Sequence, residues 1–97
     1  MINNQIYMIN NQKILYKFIK TNKNVDWFYI DSNYILSENF IREYQNKVNW
    51  NWISVFQTLS ENFISEFQNK VNWDYILRYQ KLSKNFKKEF NHKLNDH

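Results

Sequence analysis

Residues 59–73 read LSENFISEFQNKVNW, and residues 36–50 already read LSENFIREYQNKVNW, the same word 23 positions earlier. Self-similarity at a fixed period of 20 to 50 residues is the mark of repeat architectures, so this stretch sets the frame for everything around it. Working outward, three units align without a gap: DWFYIDSNYILSENFIREYQNKV (26–48), NWNWISVFQTLSENFISEFQNKV (49–71) and NWDYILRYQKLSKNFKKEFNHKL (72–94). Identical in all three are Trp27/Trp50/Trp73, Ile30/Ile53/Ile76, Leu36/Leu59/Leu82, Ser37/Ser60/Ser83, Asn39/Asn62/Asn85, Phe40/Phe63/Phe86, Glu43/Glu66/Glu89 and Lys47/Lys70/Lys93.

Each unit carries two helix-start signals. Asp26, Asn49 and Asn72 stand before a Trp, and Ser37, Ser60 and Ser83 stand before a charged residue, each placed to accept from an orphan amide of a first helical turn. Glu38 and Glu61 follow the Ser, where the helix dipole favours an anion. Beyond Ser60 the apolar residues Phe63, Ile64, Phe67 and Val71 lie on one helical face, and before it Trp50, Ile53, Phe56 and Leu59 keep an i, i+3 spacing. The unit reads as two helices of about 8 to 10 residues with minimal links, marginal alone and dependent on packing. The expected fold is therefore all-α: three stacked αα-hairpins and an N-terminal capping helix forming a short right-handed solenoid-like array. A single continuous helix fails, because the apolar stripe would rotate by about 140° per unit. The rival is a strand for the first half of each unit, since VNWNW alternates and Trp, Tyr, Ile and Val favour strands.

The whole of 1–97 is expected to be one domain, with 1–25 an N-terminal extension and capping helix, the repeats at 26–48, 49–71 and 72–94, and 95–97 a tail. Within 10–25 a degenerate second helix beginning at Asn10 or Asn11 aligns Ile14, Phe18, Ile19 and Val25 with Leu36, Phe40, Ile41 and Val48 if one residue is dropped. Residues 1–9, where MINNQIY is echoed by MINNQKILY, are expected to be less ordered, with Met8 a second candidate start. At the other end the position of Ile41 and Ile64 becomes Lys87, as suits a terminal repeat whose outer face meets water.

Gly, Pro, Cys and Ala are all missing. Without Cys there is no disulfide framework or thiolate chemistry, and with neither a signal-peptide core nor a long apolar run the reading is a soluble, cytoplasmic protein without a membrane span. The missing residues have two readings: a chain without αL turns or Pro breaks, whose helix ends are made with Asn, Asp and Ser caps, and codon bias in an A/T-rich genome. Codon bias is the favoured root cause, and on it the abundant Asn is not a binding code. The net charge of +4 is uneven: 1–25 hold four Lys and no acid, 26–71 are acidic overall, and 72–94 are basic.

Laid out as W-x-x-I-S-x-x-Q-x-L-S-E-x-F-I-x-E-F, most fully WNWISVFQTLSENFISEF at 50–67, the motif resembles short tandem repeats in proteins of large DNA viruses and other A/T-rich genomes. The resemblance covers 26–94 and implies a repeat architecture and a viral or mobile-element setting, with no activity to carry over. Asp31 stands at the Ser54 position and Tyr34 at the Gln57 position, and the third unit departs at Leu77 and Lys87, which makes those positions poor candidates for an obligatory chemical role.

Nothing assembles a catalytic constellation, metal site or cofactor cradle: the only histidines are His92 and His97, and there is no Gly-rich loop. The chain is therefore read as a non-enzyme. Glu43/Lys47, Glu66/Lys70 and Glu89/Lys93 are expected as i, i+4 surface pairs. Candidate partner-binding residues are the basic cluster Arg78, Lys81, Lys84, Lys87 and Lys88; the recurrent Asn39, Asn62 and Asn85, which have no cap to make; and the aromatics Trp52 and Tyr75, which with Phe28 lie outside the repeating set. The repeating aromatics are read as core. The expected task is binding a protein partner, blocking a host component if the chain is viral or phage-borne; nucleic-acid binding through the basic ends and self-association are the alternatives.

Overall fold

A computed structural model of the chain describes residues 12–94. Among these residues eight helices follow one another: α1 Gln12–Thr21, α2 Trp27–Asn33, α3 Glu38–Glu43, α4 Trp50–Phe56, α5 Glu61–Glu66, α6 Trp73–Tyr79, α7 Lys84–Glu89 and α8 Asn91–Leu94. No strand is formed among the described residues, which removes the strand rival for the first half of each unit. The proposed start of α1 at Asn10 or Asn11 and the expectations for residues 1–9 lie outside the described residues.

The caps explain why the helices start where they do. Oδ1 of Asp26 accepts from Tyr29 N–H at 3.2 Å, that of Asn49 from Asn51 and Trp52, and that of Asn72 from Tyr75. The hydroxyls of Ser37, Ser60 and Ser83 each accept from the Phe three residues on at 3.1 Å. The helices are shorter than expected, six or seven residues in the units, because the chain leaves the helix at Tyr44 and Phe67 and turns through the next residues. This departure also undoes the expected Glu–Lys pairs. Glu43, Glu66 and Glu89 are each the last residue of a helix, no ion pair joins them to the Lys four residues on, and Lys70 and Lys93 instead donate to Asn46 and Asn69 of the preceding unit.

Core packing repeats with the sequence. Ile30, Ile53 and Ile76 are buried, as are Phe40, Phe63 and Phe86. In each unit the Trp meets two rings of the second half: Trp50 lies 6.1 Å from Phe63 and 5.1 Å from Phe67, and Trp73 lies 6.2 Å from Phe86 and 5.3 Å from Phe90. Trp27 makes the same contacts with Phe40 and Tyr44. The indole N–H groups of Trp50 and Trp73 donate to the carbonyls of Gln45 and Gln68, so these amphipathic rings are satisfied inside. Helix α2 packs on α4, α4 on α6, and α8 on both α6 and α7.

Side chains reaching the backbone of a neighbouring unit make the junctions. Gln57 accepts from Leu36 N–H at 2.8 Å and donates to the carbonyls of Asp31 and Tyr34 at 2.9 and 2.7 Å. Gln80 repeats this one unit later with Leu59 N–H at 3.0 Å and the carbonyls of Ser54 and Gln57 at 2.9 and 2.7 Å. Glu38 accepts from both the amide and the hydroxyl of Ser60, and Glu61 does the same for Ser83. Asp31 and Ser54 accept from the amides of Asn49 and Asn72 at 2.6 and 3.0 Å. Positions set aside as poor candidates, those of Asp31/Ser54 and of Gln57/Gln80, thus carry the junction bonds.

The N-terminal register differs from the one-residue-dropped alignment. Ile14 and Phe18 are 61% and 46% exposed, while Leu15 is fully buried. The partners of α1 decide this: Tyr16 meets Phe40 edge-on at 5.1 Å, and Gln12 bonds to Ile35 O and accepts from Ser37 N–H. Satisfying the backbone of the first link fixes the helix by Gln12, and the face that follows inward is Leu15, Tyr16 and Ile19.

Candidate functional site

The first helices of the units bury Ile and turn a second face outward, and aromatic side chains cover it. Phe28 and Tyr29 of α2 are 53% and 50% exposed and Tyr79 of α6 is 38% exposed, with Trp52, Phe56 and Tyr75 part-buried beside them. Phe28 meets Trp52 edge-to-face, with ring centroids 5.0 Å apart and planes at 86°, so the strip is continuous from α2 to α4. Trp52 stacks on Phe56 at 5.7 Å and Tyr75 faces Tyr79 at 6.1 Å, each pair one helical turn apart. Arg78 lies exposed on α6 between Leu77, 47% exposed, and Tyr79. Of the sequence candidates, Trp52, Tyr75 and Arg78 therefore share one helical layer.

The others lie elsewhere. Lys81 is exposed in the α6–α7 link, and Lys84, Lys87 and Lys88 are exposed on α7; among the described residues none of the five basic residues of this cluster forms an ion pair. Lys87 takes the position at which Ile41 and Ile64 are fully buried, and it is exposed. Asn39, Asn62 and Asn85 are exposed on α3, α5 and α7. Asn39 has a structural partner, accepting from Nη1 of Arg42 at 2.9 Å, whereas Asn62 and Asn85 line a shallow depression of about 310 Å³ with Glu61, Ser65 and Ser83. Sequence reasoning missed Tyr29, Phe56 and Tyr79 as parts of the aromatic face. The signal for Phe56 and Tyr79 was the spacing, four residues after Trp52 and Tyr75 and so on the same side of the helix, and that for Tyr29 was its alignment with Trp52 and Tyr75 at the 23-residue period.

Two electrostatic features mark the first junction. Arg42 reaches across to Glu66, Nη2 to Oε1 at 2.9 Å with Nε also donating, and sits 5.3 Å from the Phe63 ring. Hydrogen bonding to the guanidinium holds the Glu66 carboxyl below its ordinary value. Asp31 is fully buried, with Oδ2 bound to Asn49 N–H and Oδ1 without a hydrogen-bond partner. Burial pushes its carboxyl up to about 7, against the smaller downward pull of the Asn49 amide.

Among the described residues no group of three His, Asp or Glu is placed to hold a metal ion, and no helix is long and apolar enough to cross a membrane. No family model matches the chain, and neither a curated protein nor a solved structure is similar enough to match it.

Proposed function

We propose that the chain is a non-enzymatic module of stacked helical hairpins, one domain arranged as a right-handed solenoid-like array, that binds another protein through the aromatic face of α2, α4 and α6. The observation that carries this is the aromatic layer on the first helices, with Phe28 against Trp52 between α2 and α4 and the Tyr75–Tyr79 pair on α6, which packs on α4, outside the repeated Trp–Phe core and half-exposed at several rings. Tyr, Trp, Phe and Arg are the residues enriched where protein interfaces concentrate their binding energy, and Arg78 lies among them. The stacked reading rests on the same Gln, Glu and Asp/Ser bonds recurring at both junctions. The tandem-repeat resemblance adds the proposal of a viral or phage factor, acting in the cytoplasm, that occludes a host component.

The test is affinity capture from the native cellular context with the intact chain, beside a Tyr29→Ser, Trp52→Ser double variant whose circular dichroism matches wild type. The proposal expects a protein retained by the first and lost by the second; an identical captured set with both overturns it. A second reading, nucleic-acid binding, is favoured by five exposed cations, Arg78, Lys81, Lys84, Lys87 and Lys88, none ion-paired with another described residue. It requires RNA or DNA binding that weakens steeply with salt and with Arg78→Glu and Lys81→Glu together. Self-association requires a sedimentation mass that rises with concentration.

A further inference from the structure

The carboxamide slots at the two junctions have a third counterpart. Each is built from the same three backbone groups of one unit: the N–H of the invariant Leu and the carbonyls of the residues five and two positions before it. The first unit offers Leu36, Asp31 and Tyr34 to Gln57, and the second offers Leu59, Ser54 and Gln57 to Gln80. In the third unit the equivalent groups, Leu82 N–H and the carbonyls of Leu77 and Gln80, have no hydrogen-bond partner among the described residues.

Around this third slot the neighbouring positions have changed chemistry together. Where Asp31 and Ser54 accept an amide, Leu77 cannot; where Glu38 and Glu61 accept from Ser, Lys84 only donates; where Ile41 and Ile64 are buried, Lys87 is exposed. A further unit of unchanged sequence would therefore keep the glutamine contact but lose the Asp/Ser, Glu and Ile contacts of the two junctions. We propose that this end of the third unit is a docking site for an acidic segment of another protein that places a glutamine side chain in the slot and carboxylates against Lys84, Lys87 and Lys88. The inference rests on the stacked-hairpin reading. Charge complementarity selects the acidic segment, and a second copy is disfavoured because its described glutamines are engaged: Gln57 and Gln80 at its own junctions, Gln12 on Ile35 and Ser37, and Gln45 and Gln68 on their own turns.

Amide hydrogen exchange at Leu82 tests this, because the slot is read at one N–H. The probe is a copy of residues 49–71 carrying Ser60→Asp, fused after Leu94 so that a weak contact becomes intramolecular. Leu82 exchange is expected to slow at least about tenfold relative to the unfused chain, and the gain is expected to vanish when the probe also carries Gln57→Ala and to shrink with Ser60 left native or in high salt. Protection that survives Gln57→Ala in the probe overturns the slot, and no protection with any probe overturns the docking site. Leu82 already protected in the unfused chain overturns it too, by its own chain if the protection is independent of concentration and by a second copy if it grows with concentration. Leu36 and Leu59 serve as internal references. If they exchange freely, and Gln57→Ala in the intact chain does not affect Leu36, the stacked reading itself fails, a different outcome from failure at Leu82 alone.

Discussion

Replacing Asp31 with Ser, the residue at its position in the second unit, is expected to stabilise the protein at neutral and alkaline pH. Asp31 is fully buried, its Oδ1 has no hydrogen-bond partner, and its carboxyl is pushed up to about 7 from an ordinary 3.8. Below pH 3.8 the acid is protonated folded and unfolded alike, and it imposes no pH-dependent penalty. Between 3.8 and 7 the unfolded chain loses the proton that the folded chain keeps, so stability falls as pH rises, by at most about 1.4 kcal/mol per unit. Above 7 both forms are ionised and the loss levels off at about 4 kcal/mol. Ser54 shows what the substitution supplies: its hydroxyl accepts from Asn72 N–H at 3.0 Å and donates to Trp50 O at 2.7 Å, with no charge to bury.

A smaller side chain leaves a void costing about 1 kcal/mol, so the net gain at pH 8 is about 1 to 3 kcal/mol. With a urea dependence of about 1 to 1.5 kcal/mol/M for a chain of this size, the midpoint should rise by about 0.7 to 3 M. Urea titrations at intervals from pH 4 to 8 measure it. Carboxylates shifted in the opposite direction, such as Glu66 held low by Arg42, titrate in both proteins and cancel in the difference. The difference between variant and wild type should open with pH and then flatten. A difference that stays flat across pH 4 to 8, or an Asp31→Ser protein less stable at pH 8, refutes the account of Asp31 as a strained buried acid.

Gln57→Ala should lower stability by about 2 to 4 kcal/mol, because it strands one amide and two carbonyls at a buried site; Gln80→Ala, part-buried, should cost less, and thermal melts rank the two. Ile64→Ala should lose about 2 to 5 kcal/mol as a fully buried side chain, whereas Lys87→Ala at the equivalent exposed position should leave the urea midpoint near wild type. Arg42→Ala removes an exposed pair, so its effect on the melting temperature should be small at low salt and should disappear at about 0.5 M salt.

The repeat made the helical layout legible because each cap and each core contact is local and recurs in register: Ser60 caps the amide three residues on, and Trp50 meets Phe63 within its own unit. The junctions were not legible for a complementary reason. Gln57 and Asp31 act over 18 to 26 residues on backbone groups, and a side chain that bonds a distant carbonyl leaves no periodicity of its own. Departure of Asp31 from Ser54 looked like relaxed constraint, yet both supply an acceptor to the same amide. Departure of Leu77 is different in kind, since no acceptor remains. Conversely, Glu43 and Lys47 kept an ideal helical spacing that the backbone does not honour, because the helix stops at Glu43.

The missing glycines and the junctions are connected. A helix commonly closes with a left-handed residue, usually Gly, that folds the chain back onto its last carbonyls. This sequence has no Gly, and no described residue has positive φ; α2, α4 and α6 instead end in extended residues, Tyr34, Gln57 and Gln80. Carbonyls near the ends of α2 and α4 are taken up by Gln57 and Gln80 of the following unit, so closing those helices and holding the next unit against them are one interaction. A unit alone then has both a small core and open carbonyls, and its folding should be tied to that of its neighbour. The same logic leaves the end of α6 with Leu77 and Gln80 carbonyls and the Leu82 amide arranged for a carboxamide that none of the described residues provides.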